Sequence, residues 1–209
     1  MAAEIELKAH VENIESLRRL LVEKTEYKSA FEKEDTYYFP SEMSELFPLD
    51  LSLQRSGFRL RREKRILPDD SENSVILLTH KKKEVRDGIE VNAEKEFEIQ
   101  ASYCHADSNQ TAHRTVVEFG QLLEAMGLRP VTSKRKKGWA FCRDGITAEL
   151  LEVGKLGWFL ELEIISESDP KENFEDGKKR LLDFLDSLGI AREAIESRFY
   201  SEMLKNETQ

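Results

Sequence analysis

Two carboxylates and an ammonium stand at alternate positions near the N-terminus, Glu4, Glu6 and Lys8, with Ile5 and Leu7 between them. Polar–apolar alternation marks a β-strand with one face in a core, so the three charged groups share the other face. Same-face side chains on a strand lie about 6.6 Å apart along the chain. Two carboxylates at that spacing can share a hard divalent cation, and an ammonium beyond them can hold a phosphate oxygen. On a single strand the pattern is an ordinary solvated face. Here it returns: Glu161 and Glu163 alternate with Leu160, Leu162 and Ile164, and Arg59, Arg61, Lys81, Lys134 and Lys136 occupy strand-like positions between the two acidic pairs. Arg offers forked donors and Lys a point charge, a combination that suits a chain of phosphates. Carboxylate pairs suit Mg²⁺ or Mn²⁺, which stabilise the charge that moves in phosphoryl transfer. No GxxxxGK[ST] loop occurs, so this is not a P-loop protein.

These groups need a scaffold, and the totals allow one. The chain has 209 residues, 39% hydrophobic and 35% charged, enough for one domain over 1–209 with a real core. Its net charge of −9 argues against nucleic acid as a partner. No apolar run approaches the ~18 residues that span a bilayer, and no apolar leader follows a basic start, so no membrane partner is expected and a cytoplasmic location is. Cys104 and Cys142 lack paired spacing and read as ordinary thiols, without a disulfide framework or zinc site. His10, His80, His105 and His113 read as surface or loop residues, because hard-cation phosphate chemistry prefers oxygen donors.

Periodicity places strands over 4–9, 34–39 (stopped by Pro40), 58–62, 75–83, 91–99, 134–141, 146–153 and 158–165. Helices are expected over 11–24, over 116–126 with Gly127 as the stop, from Phe174 to Gly189, and through Ile195, Phe199 and Met203. Residues 41–56 read as a loop or short helix, 68–73 as a turn, and 101–113 as a polar loop. The strands follow one another without regular helix alternation, which indicates an α+β fold: an antiparallel sheet or a closed barrel with helices outside. A barrel interior lined by charge is coherent only if it holds water, ions and an oppositely charged ligand.

The residues also carry a resemblance. The chain resembles the CYTH superfamily, the triphosphate tunnel metalloenzymes, and within it the class IV adenylyl cyclases. The family's ExExK signature is matched by Glu4-Ile5-Glu6-Leu7-Lys8, and its Asp-Thr-Tyr-Phe strand by Asp35-Thr36-Tyr37-Tyr38-Phe39. The LRxR, LTxK and basic-aromatic elements are similar to Phe58-Arg59-Leu60-Arg61, Leu78-Thr79-His80-Lys81 and Lys134-Arg135-Lys136-Lys137-Gly138-Trp139. The closing LGxFxExE resembles Leu156-Gly157-Trp158-Phe159-Leu160-Glu161-Leu162-Glu163, and Leu188-Gly189-Ile190 with Phe199–Leu204 resembles the cyclase branch's C-terminus.

The resemblance implies a closed eight-stranded antiparallel tunnel that threads a triphosphate. It implies Mg²⁺ or Mn²⁺ on Glu4, Glu6, Glu161 and Glu163, and phosphates gripped by Lys8, Arg59, Arg61, Lys81, Lys134 and Lys136, with Lys8, Arg61 and Lys81 as catalytic residues. The expected reaction is ATP to cyclic AMP and pyrophosphate. The alternatives are inorganic or thiamine triphosphate hydrolysis in the same fold, or a non-catalytic nucleotide or polyphosphate-binding module. A homodimer is left open. Three departures stand out. Leu151 replaces a common Asp, with Glu149, which shares its face, preferred over Glu152 as the stand-in. Glu96 takes the acidic position of the middle strand, where the preceding Arg has no match. Lys136 replaces an Arg, although Arg135 and Lys137 offer another register.

Overall fold

Where the apolar residues of each strand point decides this architecture. The computed structural model describes residues 2–41, 56–99, 108–166 and 170–206. The order along the chain is β1 (Ala2–His10), α1 (Ile14–Lys24), β2 (Glu26–Pro40), β3 (Ser56–Ile66), β4 (Glu72–Arg86) and β5 (Ile89–Ile99). Then come α2 (Ser108–Ala125), β6 (Leu128–Arg143), β7 (Ile146–Val153), β8 (Trp158–Ser166), α3 (Pro170–Ser187) and α4 (Tyr200–Asn206). Every strand pairing is antiparallel, and the eight close into a barrel in the order β1-β5-β4-β3-β2-β6-β7-β8.

The barrel is apolar on its outer wall. Ile5, Leu7 and Ala9 of β1, Ala148 and Leu150 of β7 and Leu160 and Leu162 of β8 pack outward against Leu17 and Leu21 of α1 and Leu181 and Leu185 of α3. Ala112 and Leu123 of α2 cover Leu60, Ile76 and Leu128 in the same way. Burial of these faces removes several side chains' worth of apolar surface from water, each worth roughly 1.5–3 kcal/mol. Because a strand alternates, the opposite residues of the same strands must point into the barrel. Local signals trim the helices: the Asn13 side chain accepts from Ser16 N–H at 3.0 Å to start α1, and Gly127, at φ 88°, turns the chain after α2. Gly138 is required by packing, since a Cβ there would sit 2.1 Å from the Leu150 carbonyl oxygen across the β6–β7 pair.

Several expected boundaries differ. β2 begins at Glu26, not at 34, because its inward positions are Ser29, Lys33 and Asp35 as well as Phe31, and buried charge reads as loop in a sequence. Residues 108–113 are helical, with Thr111 and Ala112 buried on the barrel. Residues 11–13 precede α1, and Val11 N–H donates to the Trp158 carbonyl at 3.0 Å. Residues 195–199 are not helical: Ile195 forms a β-bridge with Ala9, and Glu196 N–H donates to the Lys8 carbonyl at 2.8 Å. Residues 42–55, Cys104 and His105 lie outside the described residues. Cys142 is a free, half-buried thiol. His10 and His113 are exposed, while His80 is half-buried. Among the described residues no helix is long and apolar enough to cross a membrane.

Candidate functional site: a charged barrel interior

The inward faces enclose a cavity of about 190 Å³, and seventeen of the twenty-one described residues that line it are charged; the exceptions are Tyr37, Leu77, Ile165 and Tyr200. Strand register explains the grouping. Glu6 pairs with Glu163 across β1–β8, Glu149 with Glu161 across β7–β8, and Lys81 with Glu94 across β4–β5. Asp35 faces Arg61 on one side and Lys134 on the other. Charges scattered over 160 residues of chain thus meet because their strands are neighbours and their parity agrees.

Most of the cations are partnered. Lys81 lies 2.8 Å from Glu4 and 3.7 Å from Glu6 and also pairs with Glu94. Lys136 reaches both oxygens of Glu161 at 2.8 Å. Lys33 reaches those of Glu149 at 2.5 and 2.8 Å. Arg61 forks onto Asp35 at 2.6 and 3.0 Å, with Glu63 at 3.7 Å. Arg59 donates to Thr79 at 3.0 Å and to Glu96 at 3.2 Å. Lys134 is different. It sits between the rings of Tyr37 and Tyr200, 4.9 and 5.1 Å from their centroids, and among the described residues it has no ion-pair partner. Burial, with Lys136 and Lys83 nearby, lowers its pKa.

Crowding of like charges separates the carboxyls into two sets. Burial pushes the Glu163 carboxyl up to about 8, and Glu4 and Glu6 add to that against only partial relief from Lys81. Glu4 is pushed up to about 7 by burial and, beyond the opposing effect of Lys81, by Glu94 and Glu6. Burial also disfavours the charged forms of Glu94 and Glu90, but the lysines win and hold both at about 2: Lys81 and Arg59 for Glu94, Lys83 and Lys8 for Glu90. Tyr37 is brought down to about 8: burial opposes the phenolate, but Lys134, Arg59 and Lys83 outweigh it. Burial and neighbouring carboxylates thus raise both Glu163 and Glu4, the latter even with Lys81 at 2.8 Å.

Those carboxyls fit a hard divalent ion. Among the described residues no three acidic, His or Cys side chains form a ready-made cage. Mg²⁺ and Mn²⁺ do not require one: one or two carboxylates suffice, with water and phosphate oxygens completing the shell. Glu4, Glu6 and Glu163, all-oxygen donors that repel each other, would hold such an ion, with Glu161 and Glu149 alongside.

All the expected site residues but one line the cavity: Glu4, Glu6, Arg59, Arg61, Lys81, Glu96, Lys134, Lys136, Glu149, Glu161 and Glu163. Lys8 is the exception. It is 2% exposed, paired with Glu90 and covered by the Tyr200 ring. In the middle strand Glu96 is partly exposed, while Glu94 is buried on Lys81. Glu149 shares the inward face with Leu151, whereas Glu152 pairs with Lys137 at 2.8 Å. Leu151 itself is fully buried in an apolar cluster with Phe31, Val153, Phe159, Tyr200 and Met203. Sequence reasoning missed Lys33, Glu63, Arg65, Lys83, Glu90, Glu94 and the uncharged Tyr37, Leu77, Ile165 and Tyr200 as lining residues. Parity with Asp35 would have found Lys33 and Tyr37, and parity with Lys81 would have found Lys83; Tyr200 carries no such signal.

The CYTH domain family model matches residues 2–200. Among solved structures, the PH1819 protein from Pyrococcus horikoshii OT3 is similar at 23% identity over 98% of this chain and 99% of that one, TM-score 0.74. A "putative adenylate cyclase" from Vibrio parahaemolyticus is similar at 18% identity over 97% of each chain, TM-score 0.70. HpAC1 from Hippeastrum, described as having a dominant triphosphatase activity, is similar at 17% identity over 98% of this chain and 94% of that one, TM-score 0.59. These likenesses establish a shared fold. No curated protein sequence matches the chain.

Proposed function

Since the chain belongs to the CYTH domain family, we propose that it cleaves a linear triphosphate with Mg²⁺ or Mn²⁺, and that its substrate is ATP, converted to cyclic AMP and pyrophosphate. The observation that carries the reading is Lys134: a half-buried ammonium inside a cavity of paired charges, held by two aromatic rings and without an ion pair among the described residues. An ammonium so placed supplies donors to a phosphate oxygen without first breaking an ion pair. Lys136, Arg59 and Lys81 line the same space and offer donors to further phosphate oxygens. The bound ion supplies charge neutralisation to the phosphoryl oxygens. The residues hold the chain in line, which is most of what such a reaction asks of a protein. Tyr37, brought down against burial to about 8 by Lys134, Arg59 and Lys83, accepts the proton of the attacking hydroxyl in its phenolate form.

The cyclase reading draws on the resemblance of the C-terminal residues. A second reading, hydrolysis of inorganic triphosphate, is favoured by the lining: a wall with four uncharged residues among the described ones suits a phosphate chain better than a nucleobase. Incubation with ATP, tripolyphosphate or thiamine triphosphate and either metal, with separation of products, decides between them. Cyclic AMP with pyrophosphate supports the first reading, and orthophosphate the second. Binding without products would leave a polyphosphate-binding module.

A further inference from the structure

The cavity is ionic along its wall and turns apolar at one end. There Phe31, Leu151, Val153 and Phe159, on inward strand positions, pack with Tyr200 and Met203 of α4. Tyr200 is the member of that cluster that borders the cavity. It is 5% exposed, and its ring centroid lies 4.9 Å from Lys136 Nζ, 5.1 Å from Lys134 Nζ and 5.4 Å from Lys8 Nζ. Its hydroxyl is set against the Glu161 side, and burial together with that carboxylate holds the phenol well above its usual pKa, so it stays neutral. The segment leading to it is tied down at Ile195 and Glu196 on β1. Glu196 also accepts from Arg198 N–H at 2.9 Å, and Glu202 accepts from Phe199 N–H at 2.9 Å. The ring is thus an anchored wall across the end of the cavity.

We propose that Tyr200 is the inner stop of the cavity, a specificity-determining residue that limits how many phosphoryl groups of a linear polyphosphate seat on Lys134 and Lys136. The inference rests on the reading that this cavity receives a linear triphosphate. The negative face of an aromatic ring attracts the three ammoniums but offers a phosphate nothing. A terminal phosphoryl group can reach Lys134 and Lys136 beside the ring and cannot pass it. Against the same ring lies Lys8, a buried cation paired with the lining Glu90 and itself outside the cavity's lining. Shortening the side chain joins Lys8 to the cavity and makes room for one more phosphoryl group.

Calorimetric titration with tripolyphosphate and tetrapolyphosphate in Mg²⁺ tests this on the full chain, its fold checked by circular dichroism. Tyr200→Phe keeps the ring and should leave the ratio of the two affinities unchanged. Tyr200→Ala should shift the ratio about tenfold toward tetrapolyphosphate, the equivalent of one added charge-assisted contact. Should Tyr200→Ala not fold, Tyr200→Leu retains packing on Phe159 and Met203 and should shift the ratio the same way. An unchanged ratio in the shortened variants, including an equal loss of both affinities, overturns the stop. A wild-type protein that binds neither polyphosphate overturns the parent reading instead.

Discussion

Replacing Glu163 by Gln should make the metal-free protein more stable, and increasingly so as the pH rises. The Glu163 carboxyl is held at about 8 in the folded barrel against an ordinary value of 4.5, pushed there by burial and by Glu4 and Glu6. Between those two values the folded state binds a proton that the unfolded state has released, so wild-type stability falls with rising pH. Each pH unit above 4.5 costs about 1.4 kcal/mol, which comes to about 3 kcal/mol at pH 7 and levels off near 5 kcal/mol above pH 8. Glu4, itself at about 7, can relieve part of this by taking the proton instead. The expected gain for Glu163→Gln at pH 8.5 is therefore about 2–5 kcal/mol, and close to zero at pH 4.5. Urea denaturation in EDTA at pH 4.5, 7 and 8.5 measures it. A variant no more stable than wild type at pH 8.5 would refute the claim that Glu4, Glu6 and Glu163 crowd one another. In Mg²⁺ the order should reverse, because the same charge that destabilises the metal-free fold supplies the ion's ligand.

Three further outcomes are expected. Lys134→Ala should weaken tripolyphosphate binding by about 1.5–3 kcal/mol, the range for a hydrogen bond to a charged group, while leaving carboxylate pairing intact; an unchanged Kd in calorimetry would remove Lys134 from the site. Mg²⁺ affinity should rise about a hundredfold per pH unit below pH 7, about tenfold between pH 7 and 8, and flatten above 8, because Glu4 and Glu163 must both lose protons to bind; a flat titration would place the metal elsewhere. Leu151→Asp should destabilise the fold by about 3 kcal/mol or more, by loss of packing and burial of an unpaired carboxyl among Phe31, Val153 and Phe159; wild-type stability in urea would show that the pocket holds water.

The alternation of charge with aliphatic residues was enough to locate β1 and β8, because there a strongly apolar face and a strongly charged face coincide. It also identified most of the cavity's charged groups, since a barrel whose outer wall is covered by helices leaves its polar faces nowhere to point but inward. The start of β2 was illegible for the same reason the site exists: Lys33 and Asp35 are buried charges, and periodicity treats charge as exposure.

What the sequence determined by itself is the supply of ions and their strand parity, a property of two adjacent residues at a time. Closure of the barrel decided which carboxylate meets which cation. Lys8 pairs with Glu90 against the Tyr200 ring, Lys81 pairs with both Glu4 and Glu94, and Lys134 stands between two tyrosines. Those outcomes depend on register between strands as much as a hundred residues apart and on the placement of α4, and no local pattern encodes either, because pairing energy is spent between strands and not along them.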